Sequence, residues 1–591
     1  MLTPTHFPTP SGTAADAASG PDAISAATYL VDLLRILGVE YVFGVPGGAI
    51  EPLTDALAVS ERAGGPRFVV ARHEAGAAFM AEGYARATGN LGVCCATSGP
   101  GATNLLTGVA CAFENGVPML AITGQPAIPL LGKRSLQESS GTGVDVIAMF
   151  KSCTRSSSLV SHPAQVEGKV TAAVLRALQA PRGPVHLSFP VDVLRAPVER
   201  QFGTANVPRL AGKRGSFDPA DVDILRDALA DSKKTVFVLG RGCQGAVGRI
   251  MAVIEASGAP FVVTPDAKGL VRTDHRGYRG VLGFAGHASA LAALSEDVEL
   301  VVLVGSTVSE WTSAAWNPVL LSDRLIHVDD DPEHFLYSPM ARQHLLGNIG
   351  GIFSALAHRV APGDEADAAS HVAVNPATSI DVPLEGAGPV KPQHLVSELS
   401  DRMPAGTRFI ADAGNSTAWA VHWLRDPGRA TLATRAPGSP WLHVLTEFAP
   451  MGWAIGASVG LARADAANAV VCLTGDGSYL MNGQEITVAA QERLPVIFVI
   501  LNDSALGMVK HGQRLAGAEQ TAFALPQIDY RRLAQSLGIQ AHLIQDLSDL
   551  QALDLEELAR RDGPTLLDVR IDGEEVPPMA LRLQTLNEVN G

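Results

Sequence analysis

Two carboxylates that end successive apolar runs could share one hard cation. Gly475-Asp476-Gly477-Ser478 closes the run Ala469 to Thr474, and Asp503, 27 residues after Asp476, ends the run Val496 to Leu501. If the two runs are strands of one parallel sheet, both acids fall at its carboxyl edge, where open α/β sheets bind their ligands. Magnesium takes oxygen ligands in octahedral geometry and is held by one or two carboxylates while it bridges to substrate phosphates. The chemistry expected of Asp476 and Asp503 is therefore a cation carrying a diphosphate, with Gly475 and Gly477 letting the backbone approach it. Gly-Asp-Gly by itself is also a common turn.

Other candidates lie toward the N-terminus. Phe43-Gly44-Val45-Pro46-Gly47-Gly48-Ala49 follows a strand signal and opens a helix, and Thr97-Ser98-Gly99-Pro100-Gly101-Ala102-Thr103-Asn104 repeats the arrangement. Paired glycines at a helix start leave bare amides for a phosphate or oxyanion, or simply make a tight turn. Between them stands Arg72-His73-Glu74. Glu74 is either an acid satisfied by helix N-terminal amides or a partly buried carboxyl of raised pKa that exchanges a proton with a heterocycle.

Three blocks of alternating strand and helix signals must position these residues. The first, 23–195, has strand candidates at Tyr41–Gly44, Phe68–Ala71, Gly92–Thr97, Met119–Thr123 and Val185–Phe189. The second, 215–360, has Thr235–Leu239, Pro260–Val263, Glu299–Val304 and Leu325–Val328. The third, 391–575, has Arg408–Ala411, Ala469–Leu473, Val496–Leu501 and Thr565–Val569. Buried apolar strands alternating with helices predict α/β architecture: three consecutive doubly wound parallel-sheet domains. Residues 1–22 read as a disordered leader, 361–390 as a linker rich in Ala, Pro, Gly and Asp, and 576–591 as a tail.

Composition narrows the partners. A length of 591 residues implies several domains, and a net charge of −15 argues against nucleic acid or an anionic membrane, both of which want a basic face. The six cysteines form no CxxC pair and no zinc spacing, as expected of idle thiols in a reducing compartment. The leader lacks a basic start and an apolar core, so no secretory signal is expected there, and no uninterrupted apolar run reaches spanning length. The expectation is a cytoplasmic protein acting on small molecules.

Arg72-His73-Glu74, the loop Phe43 to Ala49, Thr97 to Asn104, Ile122-Thr123-Gly124-Gln125, Leu136-Gln137-Glu138 and the Asp476 segment together resemble the acetohydroxyacid (acetolactate) synthase group of thiamine diphosphate enzymes, in order over about 25–575. The resemblance implies a pyrimidine-binding domain, a central domain and a diphosphate/Mg-binding domain. The cofactor would lie between the first domain of one subunit and the third of its neighbour, in a homodimer or homotetramer. Glu74 would bond the aminopyrimidine and promote its imino tautomer, while Gly48 meets a developing oxyanion and Gln137 positions the second substrate. Cofactor-binding positions would be Pro46, Gly47, Glu74, Asn104, Gly414, Asn415, Ser416, Met451, Gly475, Asp476, Gly477, Ser478, Asp503, Ala505, Leu506, Gly507 and Met508. Met451 would support the bent cofactor, and Mg2+ would be held by Asp476, Asp503 and the carbonyl of Ala505. Many relatives have Asn where Asp503 stands.

The implied function is decarboxylation of pyruvate or a related 2-oxo acid with carboligation to a second carbonyl compound. Competing readings are a decarboxylase, oxidase or lyase of the same superfamily, and a degenerate regulatory paralogue, which should have lost Glu74 or Asp476. A regulatory subunit is compatible with the resemblance but not indicated by any residue. Three departures bear on substrate and flavin. Gly512 in Gly507-Met508-Val509-Lys510-His511-Gly512 stands where biosynthetic relatives have a tryptophan that favours 2-ketobutyrate. Val191 replaces a lysine found in those enzymes, while Lys510 and His511 put charge near the pocket mouth, either to meet an acidic substrate or to be solvated. Gly305-Ser306-Thr307-Val308-Ser309-Glu310-Trp311 lacks the arginine pair of FAD-binding relatives, so FAD is expected to be absent or optional. Gly240-Arg241-Gly242 and Gly283-Phe284-Ala285-Gly286-His287 remain as weak candidates for a nucleotide cradle.

Overall fold

The computed structural model describes residues 23–198, 216–295, 297–358, 388–426 and 439–579. The leader expected over 1–22, the linker up to residue 387 and the tail beyond residue 579 lie outside the described residues.

Three six-stranded sheets follow one another along the chain, and every strand pairing within them is parallel. The first comprises β1 (Tyr41–Val45), β2 (Arg67–Val70), β3 (Gly92–Ala96), β4 (Met119–Gln125), β5 (Ser157–Leu159) and β6 (Pro184–Pro190), ordered β2-β1-β3-β4-β6-β5. The second comprises β7 (Thr235–Leu239), β8 (Phe261–Val263), β9 (Tyr278–Val281), β10 (Leu300–Val304), β11 (Leu325–Asp329) and β12 (Gln343–Leu346), ordered β9-β8-β7-β10-β11-β12. The third comprises β13 (Arg408–Ala411), β14 (Leu442–His443), β15 (Val470–Gly475), β16 (Val496–Asn502), β17 (Gln540–Ile544) and β18 (Thr565–Arg570), ordered β14-β13-β15-β16-β18-β17. Each sheet reverses direction of growth beside its central strand, which is the doubly wound arrangement and opens a crevice at the carboxyl edge.

The long apolar runs became the central strands because helices cover both faces and every side chain there loses water. Strand β16, for instance, is buried from end to end. Sequence pattern left out β5, β9, β12, β14 and β17. All five are edge or near-edge strands, short and partly polar, and their parallel pairing supplies what their composition does not.

The first and third domains of one chain meet through α1 (Glu74–Thr88) and α3 (Trp453–Ala464). Their facing sides are Gly and Ala, so the backbones approach very closely. A Cβ added to Gly460 would lie 1.9 Å from the Met80 carbonyl oxygen, and one on Gly83 would lie 2.0 Å from that of Ala457. One charged group is sealed into this contact. Glu82, fully buried, accepts from Arg86 Nε at 2.9 Å and from Trp453 Nε1 at 3.0 Å.

Because the atoms opposing Gly460 belong to backbone, they cannot turn aside. Gly460→Val should cost about 3 kcal/mol or more and lower the urea midpoint, whereas Gly168→Ala, on an exposed helix position with open space, should be neutral or slightly stabilising.

Candidate active site

The two acids predicted to share a cation end neighbouring strands. Gly475, the last residue of β15, is paired with Leu501 of β16, so Asp476 and Asp503 leave the same edge of the sheet side by side. Asp476 opens α4 (Asp476–Asn482) and is 2 % exposed. Burial pushes its carboxyl up to about 7, with the Asp503 charge adding to the effect and the amides of Gly477, Ser504 and Ala505 opposing it. Ser504 adopts a left-handed backbone, φ 55°, which turns those amides inward. Asp503 is likewise pushed up to about 6 by burial, against the pull of Lys510. Two desolvated carboxyls this close gain most from a cation bound between them.

Around them lies space shaped for an anion. Side chains added to Gly414 or Gly475 would meet nothing within 4 Å. Gly414 precedes α2 (Asn415–Trp423), with φ 94° that favours glycine, so the amides of Asn415 and Ser416 stand at a helix start facing that space. The Asn415 side-chain oxygen is buried without a partner. Its nitrogen packs on Gly507, where a Cβ would come within 2.6 Å of it and 3.2 Å of Asp503 Oδ2. Gly507 and Met508 open α5 (Gly507–Leu515), and Leu506 and Met451 both border Gly477. Ala505 is buried and Ser478 is 2 % exposed. A buried unpartnered amide, a carboxylate pair and an open glycine cradle fit a magnesium diphosphate.

The remaining candidates gather in the first domain. Glu74, 8 % exposed, begins α1 and accepts from Asn104 Nδ2 at 2.9 Å through Oε2. Its Oε1 borders Gly101, where a Cβ would sit 3.2 Å away. Gly47 packs on Thr97 so closely that any side chain would clash, while Gly48 has open space before it. Pro46 precedes this turn at the end of β1. Gln137, exposed and left-handed at φ 58°, covers Gly99. Among the described residues no hydrogen bond or ion pair joins this group to Asp476 or Asp503.

Several residues of the site escaped the sequence pattern. Asp412, fully buried after β13, accepts from the amide of Gly452 at 3.0 Å and from Thr474 Oγ1 at 2.9 Å, and burial pushes it up to about 6. Tyr530 donates to the Asp476 carbonyl at 3.4 Å. Glu485, fully buried, accepts from the amides of His73 at 2.8 Å and Arg72 at 3.1 Å, and burial pushes it up to about 7. A strand-terminal Asp in Ala411-Asp412-Ala413-Gly414 was a visible signal. Glu485 offered none, because its partners are more than 400 residues away.

Lys510 pairs with the exposed Glu574 at 2.6 Å and donates to the Gly573 carbonyl at 2.9 Å, while its charge also pulls on Asp503. His511 is 1 % exposed, and burial, Arg514 and Lys510 push its pKa down against the pull of Glu574. In the central domain the glycine pairs are already filled by protein. A Cβ on Gly240 would lie 2.2 Å from the Gly305 carbonyl oxygen, and one on Gly283 would lie 1.9 Å from that of Trp311. Trp311 stacks on Phe284 at 3.9 Å, and Thr307 donates to Glu447 at 2.8 Å.

Asp476 and Asp503 bind protons in the folded protein at a pH where an unfolded aspartate, with pKa about 3.9, has lost them. Between about pH 4 and 7 the cation-free folded chain therefore holds more protons than the unfolded one, and its stability falls as pH rises through that window. Asp476→Asn should flatten the fall by roughly 2–4 kcal/mol. In thermal melts at pH 8, Mg2+ should raise the Tm of the wild type but not of the variant; equal profiles would remove the pair from this role.

Comparison with known proteins places the chain in a family. Residues 24–148 match the thiamine pyrophosphate enzyme N-terminal TPP binding domain, 222–356 the central domain of thiamine pyrophosphate enzymes, and 412–569 their C-terminal TPP binding domain. The chain is 32% identical over 588 residues to the acetolactate synthase isozyme 2 large subunit of Escherichia coli K12, covering 96% of this chain and 100% of that one. It is 31% identical to the acetolactate synthase large subunit of Parasynechococcus marenigrum, with 95% and 90% covered, and 30% identical to the acetolactate synthase of Arthrospira platensis, with 93% and 95% covered. With its three parallel-sheet domains matched in order and relatives similar over nearly its whole length, this chain belongs to the thiamine pyrophosphate enzyme family.

Proposed function

We propose that this protein is a magnesium-dependent, acetolactate synthase-like carboligase that removes the carboxyl group of pyruvate or a related 2-oxo acid and joins the remainder to a second carbonyl compound. The observation that carries this reading is the Asp476–Asp503 pair beside the open Gly414 and Gly475 cradle, in a chain that also keeps Glu74 buried against Asn104. The extended similarity to acetolactate synthases supports it.

Thiamine diphosphate, when bound, supplies the electron sink for the bond broken at the departing carboxylate. The protein's part is binding, orientation and proton movement. Asp476, Asp503 and the Ala505 carbonyl would hold the cation, with Gly475, Gly477 and Ser478 lining the phosphate side. The amides at Gly414, Asn415 and Ser416 would take the diphosphate, and Met451, Leu506, Gly507 and Met508 would shape its bed. Glu74 would present Oε1 to the aminopyrimidine, since Asn104 occupies Oε2 and Gly101 leaves Oε1 room. Pro46 and Gly47 would shape the loop that aims the Gly48 amide at a developing oxyanion, and Gln137 would steer the acceptor.

Because Glu74 does not meet Asp476 within one chain, the site is completed in this reading by a second copy, in a homodimer or dimer of dimers. Exposed apolar residues beside both halves support it: Leu136 is 88 % exposed next to Gln137, and Leu480 and Met481 on α4 are 46 % and 57 % exposed. The division into domains over 23–195, 215–360 and 391–575 is part of the same proposal. Flavin in this reading is absent or optional, since the segment Gly305 to Trp311 lacks the arginine pair of FAD-binding relatives and its Trp311 and Thr307 are engaged by Phe284 and Glu447. Gly512, with nothing within 4 Å of its Cβ position, leaves room for an acceptor other than 2-ketobutyrate. No helix among the described residues is long and apolar enough to cross a membrane. With all six cysteines free, that supports a cytoplasmic location.

Purified protein given thiamine diphosphate, Mg2+ and a panel of 2-oxo acids should yield acetolactate from pyruvate alone, identified by product mass. Acetaldehyde as the sole product would favour a decarboxylase, and no turnover across the panel would sink the proposal. Glu74→Gln should keep the wild-type circular dichroism yet slow hydrogen–deuterium exchange at the thiazolium carbon by about 10²–10⁴.

A further inference from the structure

The central domain also holds the cofactor domain directly, through the turn after β8. Lys268, in the turn Pro265–Leu270 that follows β8, is 2 % exposed. Its ammonium donates to the carbonyls of Val421 at 2.7 Å and Ala420 at 3.2 Å. Those carbonyls belong to the last turn of α2, whose first turn carries Asn415 and Ser416. His287 of the central domain grips the same turn, donating through Nε2 to the His422 carbonyl at 3.0 Å, and His422 Nδ1 donates back to the Ala285 carbonyl at 3.0 Å.

We propose that Lys268 is a positioning residue for the diphosphate site, fixing α2 from its C-terminal end so that the central domain sets the affinity for thiamine diphosphate. This rests on the reading of Gly414-Asn415-Ser416 as the diphosphate loop. Two physical effects act in the same direction. A nine-residue helix is about 13 Å long and stiff along its axis, so a clamp on the last turn holds the first turn in register. A cation at the negative pole also favours an anion at the positive pole of the same helix. Nearby charges do not supply the clamp in its place. Burial and Arg425 push Lys268 down to about 7, and the neighbouring His287 and His422 are pushed down by burial and by Lys268 itself. The Trp441 ring lies 5.9 Å from the ammonium, and no carboxylate among the described residues pairs with it.

The test is the dissociation constant of thiamine diphosphate at saturating Mg2+, read from quenching of tryptophan fluorescence in dialysed protein, for wild type, Lys268→Met, Lys268→Arg and Asn415→Ala. Lys268→Met should weaken binding about tenfold, and Lys268→Arg, which keeps charge and donors, should recover most of the loss. Once cofactor is saturating, the KM for pyruvate should stay within about twofold of wild type in both. Should Lys268→Met fail to fold by circular dichroism, Lys268→Gln takes its place with the same expectation. A folded Lys268 variant that binds as tightly as wild type, or a KM that moves with the dissociation constant, would overturn the proposal. If instead Asn415→Ala also binds like wild type, it is the assignment of the diphosphate loop that has failed.

Discussion

Asp476 and Asp503 are carboxyls whose charge is costly where they stand. Burial raises both, the Asp503 charge adds to the cost at Asp476, and the three amides aimed at Asp476 return only part of the loss. The nearest ammonium does not neutralise the pair, because Glu574 and the Gly573 carbonyl draw Lys510 to themselves. In the proposed function a cation from solution would meet that cost, and several features of the third domain suit one. Parallel pairing of β15 with β16 brings the two acids to one edge, Ser504 turns its amides inward, and Gly414, Gly475 and Gly507 keep side chains out of the space in front.

That arrangement needs a frame that does not yield, and close backbone packing supplies it. Where α1 crosses α3, Gly83, Gly456 and Gly460 let main chains touch, and the buried Glu82, Arg86 and Trp453 group fixes how the helices sit. Glycines in the central domain serve a similar end. Gly240 and Gly305 bring the loops after β7 and β10 into contact, and Gly283 does the same for the Trp311 segment. Glycine after a strand reads as a nucleotide cradle in sequence, but here its missing Cβ is filled by neighbouring protein.

How much of this was legible in the sequence follows from which forces are local. Core strands such as β4 and β16 were visible because burial on both faces demands an unbroken apolar run. Edge strands β5 and β17 were not, since half their environment is solvent and their hydrogen bonds come from a partner strand. In the site, Asp476 and Asp503 could be placed by chain position alone, each being the first acid after a strand. The fates of Lys510 and His511 depended on Glu574, 64 residues from Lys510, and on how deeply α5 sits, and no window of sequence contains either fact.

Glu485 bears on why a second copy enters the proposed site. It lies just beyond α4, the helix that begins at Asp476, and its carboxylate occupies the amides of Arg72 and His73 immediately before Glu74. A Cβ on Gly76 would fall 2.4 Å from Glu485 Oε1, so α1 can start only where this acid already sits. The third-domain acid that meets the Glu74 turn is thus Glu485, while Asp476 opens the other end of α4, with Leu480 and Met481 exposed between them. With Glu485 already seated against the Glu74 turn, the proposed reading draws the Asp476 cradle from another copy of the chain.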